Sequence, residues 1–175
     1  YYCVRRDSTS LPENNIGSIL TDKNRNLWIG QGKGLVRYDY VTDRFDKIPF
    51  PDNVSPRVSS LAEDEAGNIY IGTAGMGMYM IAQGTDSIRR AGEFSDEMGN
   101  MFIGHQQFDK QGNLWTGNHK NMVYLYMMKG GQPRAFHEFK SEKGEPMAFV
   151  DDGQGVIVVC KKGIMRYDYA SGLMT

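Results

Sequence analysis

Two short loops, DKNRN from Asp22 and DKQGN from Asp109, have the composition of calcium-binding loops, because oxygen-bearing side chains alternate along them. A calcium loop of the EF-hand type also needs glycine at position six and a bidentate glutamate at position twelve. In the first loop these positions hold Leu27 and Lys33, and the second loop departs in the same way. The sequence therefore predicts structural turns here and no calcium site.

The three histidines, His105, His119 and His137, are not spaced as metal ligands. No two of them form an HxH or HxxxH pair, which is the local spacing typical of zinc sites. We therefore predict no metal and no cofactor for these residues.

No pattern in the chain predicts catalysis. A GxSxG nucleophile motif is absent. The adjacent carboxylates Glu63-Asp64 and Asp151-Asp152 lie at predicted hairpin turns, where solvated turn residues are expected. The stretch GQGKGLV lacks the GxxxxGK[ST] pattern and leads into a strand, so it does not predict a phosphate-binding loop. The catalytic prediction is accordingly none.

Composition limits the remaining classes. The chain has 175 residues, enough for one domain, and a net charge of -1, which gives no electrostatic reason to bind nucleic acid. No apolar run approaches the roughly 20 residues of a membrane-spanning helix. Cys3 and Cys160 are far apart and are predicted to be unpaired thiols. The opening YYCVRRDS has the pattern of a strand interior, so we expect a piece of a longer chain.

An internal repeat organises the chain. An aspartate six residues before an apolar or aromatic residue occurs four times: Asp22 with Trp28, Asp64 with Tyr70, Asp109 with Trp115, and Asp151 with Ile157. These aspartates are separated by 42, 45 and 42 residues. A period of about 40 to 45 residues is that of a propeller blade.

Each unit contains the strands of one blade. Short first strands (NIGSIL, RVSSLA, FIGHQQF, MAFV) lead through the aspartate turn to second strands (LWIG, IYIG, LWTG, VIVV) and then to a third strand after a tight turn. The prediction is an all-β propeller of four consecutive four-stranded blades at 13–50, 51–95, 96–140 and 141–175. Residues 1–12 are predicted as the outer strand of a preceding blade plus a link, and the last blade as lacking its outer strand.

Two ring sizes remain open at this point. The four blades are expected to belong to a larger propeller of about seven blades, because four-bladed rings are at the small end of the known range. Alternatively, residues 1–6 supply the missing outer strand of the last blade and close a four-bladed ring.

The repeat assigns structural roles to its recurring residues. The aspartates are expected to cap turns, and the aromatic residues to pack between blades, with stacking on a sugar ring as the alternative. The structural positions are Asp22, Trp28, Gly30, Asp64, Tyr70, Gly72, Asp109, Trp115, Gly117 and Asp151.

Ligand contacts are predicted on one face of the propeller and near its axis. The second-to-third-strand turns and the blade-to-blade links share a face and carry hydrogen-bond donors suited to sugar hydroxyls or carboxylates. His105 lies in a first strand, at the position that Ser18 and Ser60 occupy in the first two units. The predicted ligand-binding residues are Gln31, Lys33, Arg57, His105, Asn118, His119, Lys120 and Lys161.

The unit DKNRNLWIGQGKGLVRYDYVTDRF resembles the two-component regulator propeller repeat. The resemblance implies the periplasmic sensor half of a hybrid two-component system of Bacteroides-like bacteria, in which the histidine kinase lies elsewhere in the protein. It also implies an oligosaccharide-like ligand, further propeller blades and a possible homodimer as partners. It implies that the parent protein contacts the membrane outside this segment. It also implies that this segment does not contact nucleic acid.

Three functions remain after the resemblance is taken into account. The leading hypothesis is a non-enzymatic propeller that senses a carbohydrate-like ligand. The second is a scaffold for protein–protein interaction, and the third is a propeller lyase or glycosidase, since these share the blade architecture.

Overall fold

The computed structural model describes residues 10–91 and 102–175 of the chain. In these ranges the chain forms strands and turns, with one short 3-10 segment at Pro51–Asn53. The prediction of an all-β fold is confirmed. Within the same ranges no helix has the length and hydropathy to span a membrane.

The strands form four antiparallel sheets, which we call blades 1 to 4. Blade 1 contains β1 (Ile16–Thr21), β2 (Leu27–Gln31), β3 (Gly34–Asp39) and β4 (Arg44–Ile48). Blade 2 contains β5 (Val58–Glu63), β6 (Ile69–Thr73), β7 (Met78–Ile81) and β8 (Ile88–Arg90). Blade 3 contains β9 (His105–Phe108), β10 (Leu114–Gly117), β11 (Met122–Lys129) and β12 (Gln132–Lys140). Blade 4 contains β13 (Pro146–Asp151), β14 (Gly155–Cys160) and β15 (Gly163–Asp168).

The blades are arranged around an axis. In every blade the strands pair in chain order, and the first strands β1, β5, β9 and β13 contact one another in succession. All four first strands also line one shared cavity. Up-and-down sheets placed radially in this way form a β-propeller, so the predicted architecture is confirmed. Blade 4 has three strands in the described range, and the alternative four-bladed ring depends on residues 1–6, which lie outside it.

Aromatic side chains fill the contacts between blades. Trp28 packs between blades 1 and 2, Tyr70 between blades 2 and 3, and Trp115 between blades 3 and 4. Their exposed fractions are 2%, 0% and 0%. Because the rings are enclosed by neighbouring sheets, they leave no face for stacking on a sugar.

An irregularity in the first strands sets the residues that face the axis. The pairing of β1 with β2 shifts between Ile16 and Ser18, and that of β5 with β6 shifts at the equivalent place, before Ser60. Such a bulge bends a strand and changes the direction of its side chains. Ser18 and Ser60, which directly follow these shifts, line the cavity where the four first strands converge.

Candidate functional site

The aspartate of each first-to-second-strand turn is held by hydrogen bonds within its own blade. Asp22 accepts hydrogen bonds from the backbone N–H of Asn26 at 2.8 Å, from Asn26 Nδ2 at 2.8 Å and from Trp28 Nε1 at 2.9 Å. Asp109 in blade 3 accepts the equivalent set. In blades 1 and 3 the six-residue separation in the repeat places the tryptophan so that its indole N–H can donate to the aspartate carboxylate.

These hydrogen bonds also decide the charge state of Asp22. Burial raises the pKa of its carboxyl, but the hydrogen bonds from Trp28 and Asn26 outweigh that effect and hold the pKa below its ordinary value of 3.8. Both carboxylate oxygens accept hydrogen bonds within the turn. The asparagine partner was missed from the sequence, although Asn recurs four residues after the aspartate in DKNRN, DEAGN and DKQGN.

The fourth turn lies one residue later than the sequence alignment places it. Asp152 accepts a hydrogen bond from the backbone N–H of Gly155 at 3.0 Å, and its own N–H bonds to the Gly155 carbonyl. Asp151 is instead the last residue of β13 and accepts from the backbone N–H of Lys110 in blade 3 at 2.6 Å. The turn residue of blade 4 is thus Asp152 rather than Asp151, because this turn is one residue shorter than the others.

The second-strand glycines allow the blades to approach closely. A Cβ atom on Gly72 would lie 2.8 Å from Ile103 Cγ2, and one on Gly117 would lie 2.7 Å from Pro146 Cβ. Pro146 begins β13 of the following blade, and Ile103 lies two residues before β9. Gly30 meets the side chain of Val58 in the same way. These glycines are packing positions of the blade interface.

Two of the residues predicted to bind a ligand are buried, and their side chains are hydrogen-bonded within blades 1 and 3. Gln31 is 1% exposed, and its Nε2 donates to the Glu13 carbonyl at 2.8 Å. Asn118 is 3% exposed, and its Oδ1 accepts from the backbone N–H groups of Lys120 and Met122. Each directly follows a second-strand glycine, a recurrence that could have identified them as turn residues.

Other residues of the predicted face lie apart from one another. Lys33, Arg57, His119 and Lys120 are exposed, on turns and links of three different blades. The His119 ring meets the edge of the Phe102 ring, with 5.0 Å between the centroids. The exposed cations form a rim and are not gathered into one concave site.

A cavity of about 310 Å³ lies on the propeller axis. Its polar lining consists of hydroxyl, amide and imidazole groups from the first strands, and its apolar lining includes Leu61 and Met147. No Asp, Glu, Lys or Arg is among the described residues that line it. The polar residues are Ser18, Ser59, Ser60, His105, Gln106 and Gln107.

His105 is the one titratable side chain among the described residues of this lining. Burial lowers its pKa below the usual 6.5, and the nearby Glu145 carboxylate opposes that shift. Glu145 itself forms an ion pair with Lys161. His105 and Lys161, two of the predicted ligand residues, are thus brought together through Glu145, and the imidazole is neutral at neutral pH.

Among the described residues, no three His, Cys, Asp or Glu side chains lie close enough together to hold a metal ion. Cys160 is a buried free thiol, and Cys3 lies outside the described residues. The hydroxyl, amide and imidazole residues that line the axial cavity are suited to binding through hydrogen bonds.

Two stretches of the chain, residues 10–32 and 53–75, match the family model described as two component regulator propeller. They contain the Asp22 and Asp64 turns of blades 1 and 2. A search of curated protein sequences finds no match to the chain.

Solved structures share the fold over nearly the whole chain. Extracellular domains of two proteins assigned to hybrid two component systems of B. thetaiotaomicron superpose with TM-scores of 0.71 and 0.72, at 18% and 24% identity. This chain is covered to 98% and 91%, and the two domains to only 23% and 22%. Virginiamycin B lyase from Staphylococcus aureus superposes with a TM-score of 0.71 at 15% identity, covering 94% of this chain and 56% of the lyase. At such low identities the similarity establishes the propeller fold alone.

Proposed function

We propose, from the two-component regulator propeller repeats in residues 10–32 and 53–75, that this chain is the ligand-sensing part of a two-component signalling protein. Those repeats are the observation that carries the proposal. The extracellular domains from B. thetaiotaomicron share the propeller fold, which supports an extracytoplasmic, periplasmic location. The histidine kinase and transcriptional output would lie outside these residues.

The ligand in this proposal is a small carbohydrate-like molecule. The described residues offer a concave site with neutral hydrogen-bonding groups on the axis, and no gathered acid/base pair or metal cluster. Binding would favour one arrangement of the blades and their partner domains over another. A ligand shifts such an equilibrium only by its difference in affinity for the two arrangements, and the kinase would respond to that shift.

Calorimetric titration of the protein at its full natural length with pools of oligosaccharides tests this function. Saturable binding, with a change in kinase autophosphorylation at the same ligand concentration, is the expected result. The sensing role of these blades would be overturned if no pool bound while another ligand acted through a different part of the protein.

A propeller lyase or glycosidase is the second candidate, because virginiamycin B lyase superposes on 94% of this chain. The same oligosaccharide pools, and a streptogramin, can be assayed for turnover. Turnover abolished by His105→Ala or His119→Ala would favour the enzyme over the sensor.

A further inference from the structure

We propose that the axial cavity is the ligand site and that it selects an uncharged, polyhydroxylated molecule such as a neutral saccharide. This inference rests on the proposed sensing function and names the ligand class of that function. The cavity is bounded by the first strands of all four described blades, so a ligand there would contact each of these four blades.

The size of the cavity suits a small ligand. Its volume of about 310 Å³ lies at the lower end of the range of small-molecule sites, which is about 300–1,000 Å³. The lining combines hydrogen-bonding groups with apolar residues, of which Met147 is 39% exposed while Leu61 and Phe149 are buried in the blade contacts. A saccharide has the same combination, because its ring carries hydroxyls around an apolar C–H face.

The charges around the cavity favour a neutral ligand. The described lining contains no Lys or Arg to pair with a carboxylate or sulfate group. The nearest cation that the structure connects to the site, Lys161, is already paired with Glu145. A charged ligand group placed there would find no charged side chain in the described lining, whereas a hydroxyl would find hydrogen-bond partners.

The hydrogen-bonding groups also match hydroxyls better than ions. A neutral imidazole has one donor and one acceptor nitrogen, and an amide side chain has both kinds of group, as sugar hydroxyls require. His105 is half-buried and neutral at neutral pH, and Gln107 is exposed to the cavity from the next-but-one position of β9. These two side chains are the principal contacts of the proposal.

Binding at the exposed rim would select ligands of a different charge from binding in the axial cavity, so the two sites can be distinguished by experiment. Lys33, Arg57 and Lys120 are cationic and exposed, so binding at the rim would favour acidic glycans. Binding in the axial cavity favours neutral ones. Ligand charge and the set of sensitive residues should therefore change together.

The test is calorimetric titration of the protein at its full natural length with two probe pools. One contains neutral gluco-, galacto- and manno-oligosaccharides, and the other contains oligogalacturonides and sulfated oligosaccharides. We expect binding from the neutral pool. Gln107→Ala and His105→Ala should each weaken it at least tenfold, by the loss of about 1.4 kcal/mol or more. His105→Gln, which keeps a neutral donor and acceptor, should weaken it less. Lys120→Ala is the matched rim control and should leave it unchanged.

Each other outcome overturns a distinct claim. Binding from the acidic pool alone, lost in Lys33→Ala or Lys120→Ala and kept in Gln107→Ala, would overturn the axial site while sensing stands. Neutral binding that neither Gln107→Ala nor His105→Ala changes would overturn the assignment of these residues. Absence of binding from both pools would overturn the axial saccharide site, and the sensing function would fall with it if another ligand acted through a different part of the protein. Gln107 is exposed, so its variant should fold even if His105→Ala does not.

Discussion

At the scale of single residues, the turn aspartates stabilise each blade through hydrogen bonds that are buried from water. Asp109 is 7% exposed and accepts from Trp115 Nε1 at 2.9 Å and from the backbone N–H of Asn113 at 2.8 Å. Asp109→Asn substitutes an NH₂ group for one acceptor oxygen and leaves a buried donor without a partner. We expect a loss of about 1–3 kcal/mol in the free energy of unfolding, measured by urea denaturation. Asp46→Asn, on the exposed face of β4, is the matched control and should change it by less than about 0.5 kcal/mol.

His105 gives the fold a pH dependence. Burial lowers its pKa below 6.5, with Glu145 opposing, so the unfolded chain binds a proton more readily than the folded one. Folding therefore favours the neutral imidazole. The contribution of His105 to the unfolding free energy is fully present above about pH 6.5, and it is lost as the pH falls through the pKa of the folded state. His105→Gln should flatten the decline in unfolding free energy between about pH 7 and 5, in urea titrations at each pH. A slope in His105→Gln equal to that of the unsubstituted protein would contradict the expectation.

At the scale of elements, the approach of neighbouring blades depends on residues without side chains. A Cβ on Gly72 would lie 2.2 Å from Ser60 Oγ and 2.8 Å from Ile103 Cγ2, and separations below 3.0 Å force a displacement. Gly72→Ala should cost about 1–3 kcal/mol, the usual penalty of overpacking a core. Combining it with Ser60→Ala removes the closest contact, so the double variant should be less destabilised than the sum of the single variants by at least about 0.5 kcal/mol. Additive unfolding free energies would show that the crowding is relieved elsewhere.

The same elements show what the sequence could and could not predict. Strands, turns and the blade period depend on local alternation, glycine and aspartate, so they were readable from the chain itself. The register of the fourth turn was not, because a turn one residue shorter keeps Asp151 six residues before Ile157. The role of Gln31 was also hidden, since it depends on a hydrogen bond to Glu13 in the link before β1, whereas the contacts of Asn118 lie within its own turn. The axial cavity combines four distant strands, and of its polar lining only His105 was predicted from the sequence as a ligand-binding residue.

At the scale of the whole molecule, blade 4 differs from the other three on its outward face. Val159 pairs with Ala148 at the position that glycine occupies in blades 1 to 3. It shares this face with Val150 and Ile164, which are 50% and 63% exposed. Apolar residues that lie together in this way mark a surface that another part of a protein covers. A valine at the glycine position means that the covering element cannot approach as closely as Val58 or Pro146 approaches its neighbour.

Further blades of the same protein are the covering element that we expect, and a substitution can test this. Ile164→Lys places a charge on the face, and burying a lysine without a partner costs several kcal/mol. In the protein at its full natural length, it should therefore lower the unfolding free energy by more than about 2 kcal/mol in urea denaturation. Val41→Lys is the matched control, because Val41 is 94% exposed in the turn between β3 and β4 and should tolerate the charge. If Ile164→Lys leaves the unfolding free energy unchanged, this face is open to solvent in the intact protein. Blade 4 would then be a terminal blade, with Val159 on its uncovered face.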